Sequence, residues 1–229
     1  MVVSRIVVLI LMLSGNIYAQ ITQGGQSQVL IASLGNGLFK NPKREATSPQ
    51  GSPYVINNFS EVRVENIDII ALMRYNVYKD EFEFISPKND TLILDKINDF
   101  KDLKFVGTNI KYRLVNYINS DDKYQYGYLI NVCEKNSFGL FRKETVLLSE
   151  GKIARTTLER DMPSQYSKSS DVYYLKNNDK IIEFPSNRKK LVKLYPERKD
   201  IIEKFLKENK IDFDIDADKI KIIDLLSTF

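Results

Sequence analysis

Arg74-Tyr75-Asn76-Val77-Tyr78-Lys79-Asp80-Glu81-Phe82-Glu83-Phe84 is the stretch on which the fold turns. Tyr75, Val77, Phe82 and Phe84 alternate with Arg74, Asn76, Glu81 and Glu83. A period of two sends one set of side chains inward and the other to water, which is the pattern of a half-buried strand. Lys79-Asp80 reads as a two-residue turn, so the stretch is expected to be a β-hairpin.

The same pattern continues on both sides. Upstream, Val62, Val64 and the run from Ile67 to Met73 are apolar and β-branched. Downstream, Pro87-Lys88-Asn89-Asp90 is a turn before the short strand Leu92-Ile93-Leu94. Asp99 to Leu103 reads as a helical turn or an irregular bend. Lys104 to Val106 and Ile110 to Ile118 are strands. In the second of these, Tyr112, Leu114 and Asn116 face one way and Lys111, Arg113, Val115 and Tyr117 the other. Asn119-Ser120-Asp121-Asp122 is a hairpin loop, because short polar side chains there bond their own backbone. Tyr124 to Glu134 and Phe138 to Leu148 extend the meander across Lys135-Asn136. Ser149 to Ser170 is polar and weakly patterned, a long loop with room for an excursion. Val172 to Leu175 and Ile181 to Phe184 form a final hairpin about Asn177-Asn178-Asp179. Successive strands joined by short turns favour an antiparallel sheet.

The period changes in the tail. Ser186 is a candidate cap for a helix reaching Tyr195, with Leu191, Leu194 and Tyr195 at helical spacing. Pro196 ends that helix or opens the next. Ile201, Ile202, Phe205 and Leu206 share one face of a second helix. Asp216 or Asp218 is placed to cap a third, with Ile220, Ile223 and Leu226 on one side. The expected class is α+β: a mainly antiparallel meander, barrel- or sandwich-like, over 54–184, with two or three helices over 185–229 packed on it.

The N-terminus reads as a signal peptide. Arg5 precedes an unbroken apolar run from Ile6 to Leu13, and Ser14-Gly15-Asn16-Ile17-Tyr18-Ala19 leads to a small residue before Gln20. The run is well short of the roughly 20 apolar residues a membrane-crossing helix needs. An uncleaved anchor is the alternative. Residues 1–19 are therefore expected to be removed near Ala19, leaving a flexible, Gly-, Ser- and Pro-rich lead-in over 20–53. A lipid anchor on cysteine just past the cleavage point does not fit, since Cys133 is the only cysteine.

Several of these stretches carry a resemblance. Gly51-Ser52-Pro53-Tyr54, the hairpin 74–84, Tyr173-Tyr174-Leu175, Ile181-Ile182-Glu183-Phe184-Pro185, Lys189-Lys190-Leu191, Leu194-Tyr195-Pro196 and the run from Ile201 to Ile211 together resemble a group of exported proteins from Bacteroidetes-type Gram-negative bacteria that have no assigned activity. The resemblance implies an envelope location, periplasmic or cell-surface, and a strand-then-helix order. It implies no activity and no functional residues.

Composition narrows the chemistry. The chain has no histidine and no tryptophan, so the commonest general base and metal ligand is missing. With one cysteine there is no internal disulfide. Cys133 lies in the strand-like run Leu129-Ile130-Asn131-Val132-Cys133 and reads as a small buried apolar residue. The 34 basic against 30 acidic residues are too balanced to call for a nucleic-acid partner.

Four constellations remain. Asp212, Asp214, Asp216 and Asp218 alternate as calcium ligands do, but an EF-hand register from Asp212 places Ala217 and Ile223 where glycine and glutamate belong, and one from Asp214 places Lys219 and Leu225 there. A solvated turn feeding negative charge to a helix N-terminus is the better reading. Arg188, Lys189, Lys190, Lys193, Arg198 and Lys199 form a basic cluster, either a solvated helix face or a surface for anionic headgroups and peripheral membrane contact. Tyr112, Tyr117, Tyr124, Tyr126 and Tyr128 stand in neighbouring strands, as cross-strand packing or as a stacking row. No nucleophile elbow, phosphate loop or dinucleotide fingerprint occurs. No catalytic residue, metal or cofactor is therefore assigned. The expected role is a non-enzymatic binding or accessory protein of the cell envelope. The alternatives are a hydrolase working through a pair of Asp or Glu carboxylates and, third, an outer-membrane β-barrel.

Overall fold

A computed structural model describes residues 48–154 and 160–229. The expected signal peptide, its cleavage point near Ala19 and residues 20–47 of the expected lead-in lie outside the described residues.

Among the described residues, twelve strands and three α-helices follow one another. The strands are β1 (Ser60–Val64), β2 (Ile69–Asn76), β3 (Glu81–Ile85), β4 (Thr91–Ile93), β5 (Asp102–Phe105), β6 (Lys111–Ile118), β7 (Tyr124–Lys135), β8 (Phe138–Lys143), β9 (Val146–Ser149), β10 (Gln165–Lys168), β11 (Val172–Asn177) and β12 (Lys180–Glu183). The helices are α1 (Arg188–Leu194), α2 (Lys199–Glu208) and α3 (Asp216–Leu226). The fold is α+β, as the residue pattern requires.

Ten strands make one sheet in the order β12-β11-β8-β7-β6-β5-β1-β2-β3-β4. Neighbours are antiparallel except at one place, where β12 meets β6 in parallel through Ile182 and Ile118. That contact closes β6, β7, β8, β11 and β12 into a barrel-like ring. Each of the five strands gives one buried residue to a shared cluster: Tyr117, Leu129, Phe141, Tyr174 and Ile181. This is the inside of the ring, and the Tyr117 and Tyr174 rings meet edge-on there at 4.8 Å.

The alternate residues of the same strands build two further cores. Tyr112, Leu114, Tyr128 and Ile130 join Val62, Val64, Met73, Tyr75, Phe82, Leu103 and Phe105 from the open part of the sheet. Leu140 and Leu175 join Leu191, Ile202, Leu206, Ile222, Ile223 and Leu226 beneath the helices. The central strands are thus buried on both faces. That explains why Tyr128, Leu129 and Ile130 are apolar in succession rather than alternating. β7 runs for 12 residues and bends at an irregularity between Asn131 and Cys133, which re-aims its second half towards the helices.

Local details differ from the sequence reading for identifiable reasons. The hairpin loop after β2 has four residues, Val77 to Asp80, because Asn76 pairs with Glu81; Asp80 takes the left-handed conformation at φ 58°. The stretch from Phe138 to Leu148 is not one strand. It breaks at Glu144-Thr145, and β9 leaves the main sheet to pair only with β10. Its partner β10 lies within 149–170, so that stretch is not all loop. The N-cap of α1 is Asn187 rather than Ser186: its side chain accepts a hydrogen bond from the Lys190 amide at 3.0 Å. Neither Asp216 nor Asp218 caps α3, which starts after Ile215 without a side-chain cap. The described end of the lead-in is anchored, since Gln50 exchanges backbone hydrogen bonds with Ser164 and Tyr166 at 2.8 Å each, and Pro53 accepts from Val77 at 2.9 Å.

Candidate binding groove

The parallel closure of the ring leaves a groove beside it. β12 runs from the loop at Asn178-Asp179 past the β6 end and straight into Phe184-Pro185, where the proline ends the strand. Asn187 then starts α1, which crosses the seam. The groove between the β6–β7 loop, β12 and α1 has a volume of about 640 Å³. That is within the roughly 300–1,000 Å³ range of small-molecule sites. Its apolar lining is Ile118, Ile182, Phe184 and Leu194, with Leu194 the most exposed of the four. Its edge carries Lys180, Lys190 and Lys193, with Asn119, Asp122 and Glu183. Lys190, Lys193 and Leu194 fall at i, i+3 and i+4 of α1, so they share one helix face.

Glu183, Phe184 and Pro185 also line a second groove, of about 630 Å³, on the other side of that strip. Two of its charges, Asp216 and Lys219, are paired. Tyr173 Oη donates to Asp216 Oδ2 at 2.6 Å. Lys219 lies 4.0 Å from the centre of the Tyr173 ring and donates to Asp216 Oδ1 at 3.2 Å and to the Asp214 carbonyl at 3.1 Å. Burial, aided by the Asp216 carboxylate, pushes the Tyr173 phenol up to about 12. Burial alone would raise Asp216, but the bonds from Tyr173 and Lys219 outweigh it and hold the carboxyl below its ordinary range. Nearby, Arg142 Nη1 stands 3.6 Å from Asp171 Oδ2. Arg142 Nε and Asp171 Oδ1 are buried without a hydrogen-bond partner among the described residues.

The lysines of the first groove, like most surface lysines among the described residues, form no ion pair. Among the described residues, Lys96, Lys111, Lys135, Lys176, Lys219 and Lys221 each pair with a carboxylate at 3.2 Å or less. Lys180, Lys190 and Lys193 have no such partner. They are exposed and line the groove together with the carboxylates Asp122 and Glu183.

The other singled-out residues disperse. The five tyrosines do not form a row. Tyr112 and Tyr128 are in the core shared with the open sheet, Tyr117 is inside the ring, and Tyr124 and Tyr126 are exposed at 81% and 44%. Of the acidic run, Asp212 Oδ1 accepts from the Asp214 amide at 2.9 Å, and Asp218 accepts from the Asp212 amide at 2.9 Å and from Lys221 at 2.7 Å. These bonds make it a turn tied to α3. No group of three or more potential metal-ligating side chains occurs among the described residues. The basic cluster divides: Arg188 pairs with Glu203 at 2.9 Å, Arg198 lies over the Phe229 ring at 5.2 Å, and only Lys190 and Lys193 reach the groove. Cys133 is half-buried against the helical core, and burial pushes its thiol up. Lys180 and the apolar lining were not marked out by the sequence, because their meeting depends on ring closure.

No helix among the described residues is long and apolar enough to cross a membrane. Set against protein-family models, curated proteins and solved structures, the chain finds no match.

Proposed function

We propose that this chain is an exported binding or accessory module of the cell envelope that acts without catalysis, with the groove beside the ring seam as its ligand site. The observation that carries the reading is the groove itself: apolar side chains lined by three lysines and two carboxylates, Asp122 and Glu183, with none of the three lysines in an ion pair among the described residues. What supports the reading is that cations and apolar side chains line one concave surface, the arrangement small-molecule sites use. Export is supported by the layout of residues 1–19, and the envelope by the resemblance drawn above.

The test has two parts. The tagged full chain is followed by cell fractionation, and release with the envelope contents is expected. The purified chain is then equilibrated with an extract of envelope small molecules and weighed by native mass spectrometry. A bound mass is expected that Leu194→Trp, which fills the groove from an exposed position, removes. Retention in the cytosol would overturn the location. Turnover of an envelope substrate that is lost on changing one carboxylate would overturn the non-catalytic role.

A further inference from the structure

We infer that the groove takes a single-chain amphiphile with an anionic head, the acyl tail lying on the apolar lining and the head against α1. This rests on the reading of the groove as a ligand site. Ile118, Ile182, Phe184 and Leu194 are apolar members of the lining, and each methylene buried against them contributes to affinity through removal from water. They alone do not choose a ligand; the charges do. The two carboxylates of the lining are Asp122, on the loop after β6, and Glu183, on β12. Glu183 also faces the second groove and acts on Tyr174 inside the ring. The α1 side of the lining is Lys190, Lys193 and Leu194, with no acid, and Lys180 adds a third cation from β12. A head placed between Lys190 and Lys193 meets two cations one helical turn apart. A carboxylate or a phosphate satisfies both; a neutral or cationic head satisfies neither.

The experiment uses the full chain and probes of one tail length. Decyl phosphate, decanol and decyltrimethylammonium are titrated below their micelle thresholds, beside inorganic phosphate and vesicles of phosphatidylglycerol. Decyl phosphate is expected to bind one to one and to be displaced in Leu194→Trp. The exposed pair Lys190→Gln and Lys193→Gln is expected to weaken it by about tenfold without changing the melting temperature. Decanol binding as tightly as decyl phosphate would overturn the anionic head while leaving the ligand site standing. Inorganic phosphate competing equally would remove the tail from the proposal, and binding to vesicles alone would replace it with surface adsorption. If no alkyl probe is sensitive to Leu194→Trp, the ligand-site reading falls with it.

Discussion

Asp80 and Gly127 are packed so closely that the carboxylate of the first fills the space where a side chain on the second would begin. One carboxylate thereby ties the β2–β3 loop to the middle of β7. Asp80 Oδ1 accepts from the Tyr128 amide at 3.2 Å and from the buried Tyr75 hydroxyl, and Oδ2 pairs with Lys96 at 2.6 Å. Gly127→Ala is expected to push the carboxylate out of this node and to cost about 1–3 kcal/mol in urea unfolding. Lys96→Met, which removes only the outermost partner, should cost less. Equal losses would mean that the close approach is relaxed elsewhere.

Tyr112 and Glu144 form a second buried tie. Tyr112 Oη donates to Glu144 Oε2 at 2.7 Å, and Glu144 is only 9% exposed. Burial, with the Glu144 charge beside it, raises the phenol well above its ordinary range, so it stays a donor. Tyr112→Phe is expected to cost about 1–3 kcal/mol by leaving the carboxylate without that bond. Tyr112→Phe combined with Glu144→Leu should recover part of the loss in a double-mutant cycle.

Arg142 and Asp171 make a looser pair, each with one buried polar atom left unpartnered. Removing one partner strands the other, whereas replacing both removes the desolvation cost along with the attraction. Arg142→Met alone is expected to lose about 1–3 kcal/mol. Arg142→Met with Asp171→Leu should be nearer to the parent chain in chemical denaturation.

Acid sensitivity follows from carboxylates held low. Burial would raise Glu83, but hydrogen bonds from Arg74, Tyr54 and Asn76 overcome it. Glu134 is lowered in the same way by Lys176, Arg113 and Asn131, as is Asp216. A group whose folded value lies below its unfolded one adds stability that is complete above the unfolded value, near pH 4 to 4.5 for these types, and is lost as pH falls through the folded value. Stability is therefore expected to drop below about pH 4. Glu83→Gln should flatten that drop in an acid titration of unfolding.

Asn187 links the helix to the groove. Its side chain holds the first turn of a seven-residue helix, α1. Asn187→Ala is expected to cost about 1 kcal/mol and to weaken decyl phosphate binding by loosening Lys190 and Lys193. A lost cap with unchanged binding would separate helix stability from the site.

Much of this molecule is legible in its sequence, and the reason is local. Asn119 was recognisable as a loop former, and its side chain does accept from the Asp121 and Lys123 amides. The alternation in β6 places Tyr112 and Leu114 on one face and Val115 and Tyr117 on the other, since side-chain direction in a strand follows from the backbone alone. The period of Ile202 and Leu206 likewise yields the buried face of α2. In each case the decisive interaction spans a few residues.

What the sequence could not decide is every choice made between distant segments. Nothing within 111–118 or 180–183 says that Ile118 will meet Ile182 in parallel, because that pairing depends on the twist accumulated across β7, β8 and β11. Until it forms, the ring has no inside, Tyr117 and Phe141 have no common core, and Lys180 has no relation to Lys190 and Lys193. Gly127 looks like a weak point in a strand until Asp80 arrives from 47 positions earlier in the chain. The sequence by itself determined most of the strands, the helices and the faces they bury, since hydrophobic periodicity is local, but not the break at Glu144-Thr145 or the strand β10. Only the tertiary structure decided the ring closure, the division into three cores and the groove, since packing brings together residues whose proximity no short window of sequence encodes.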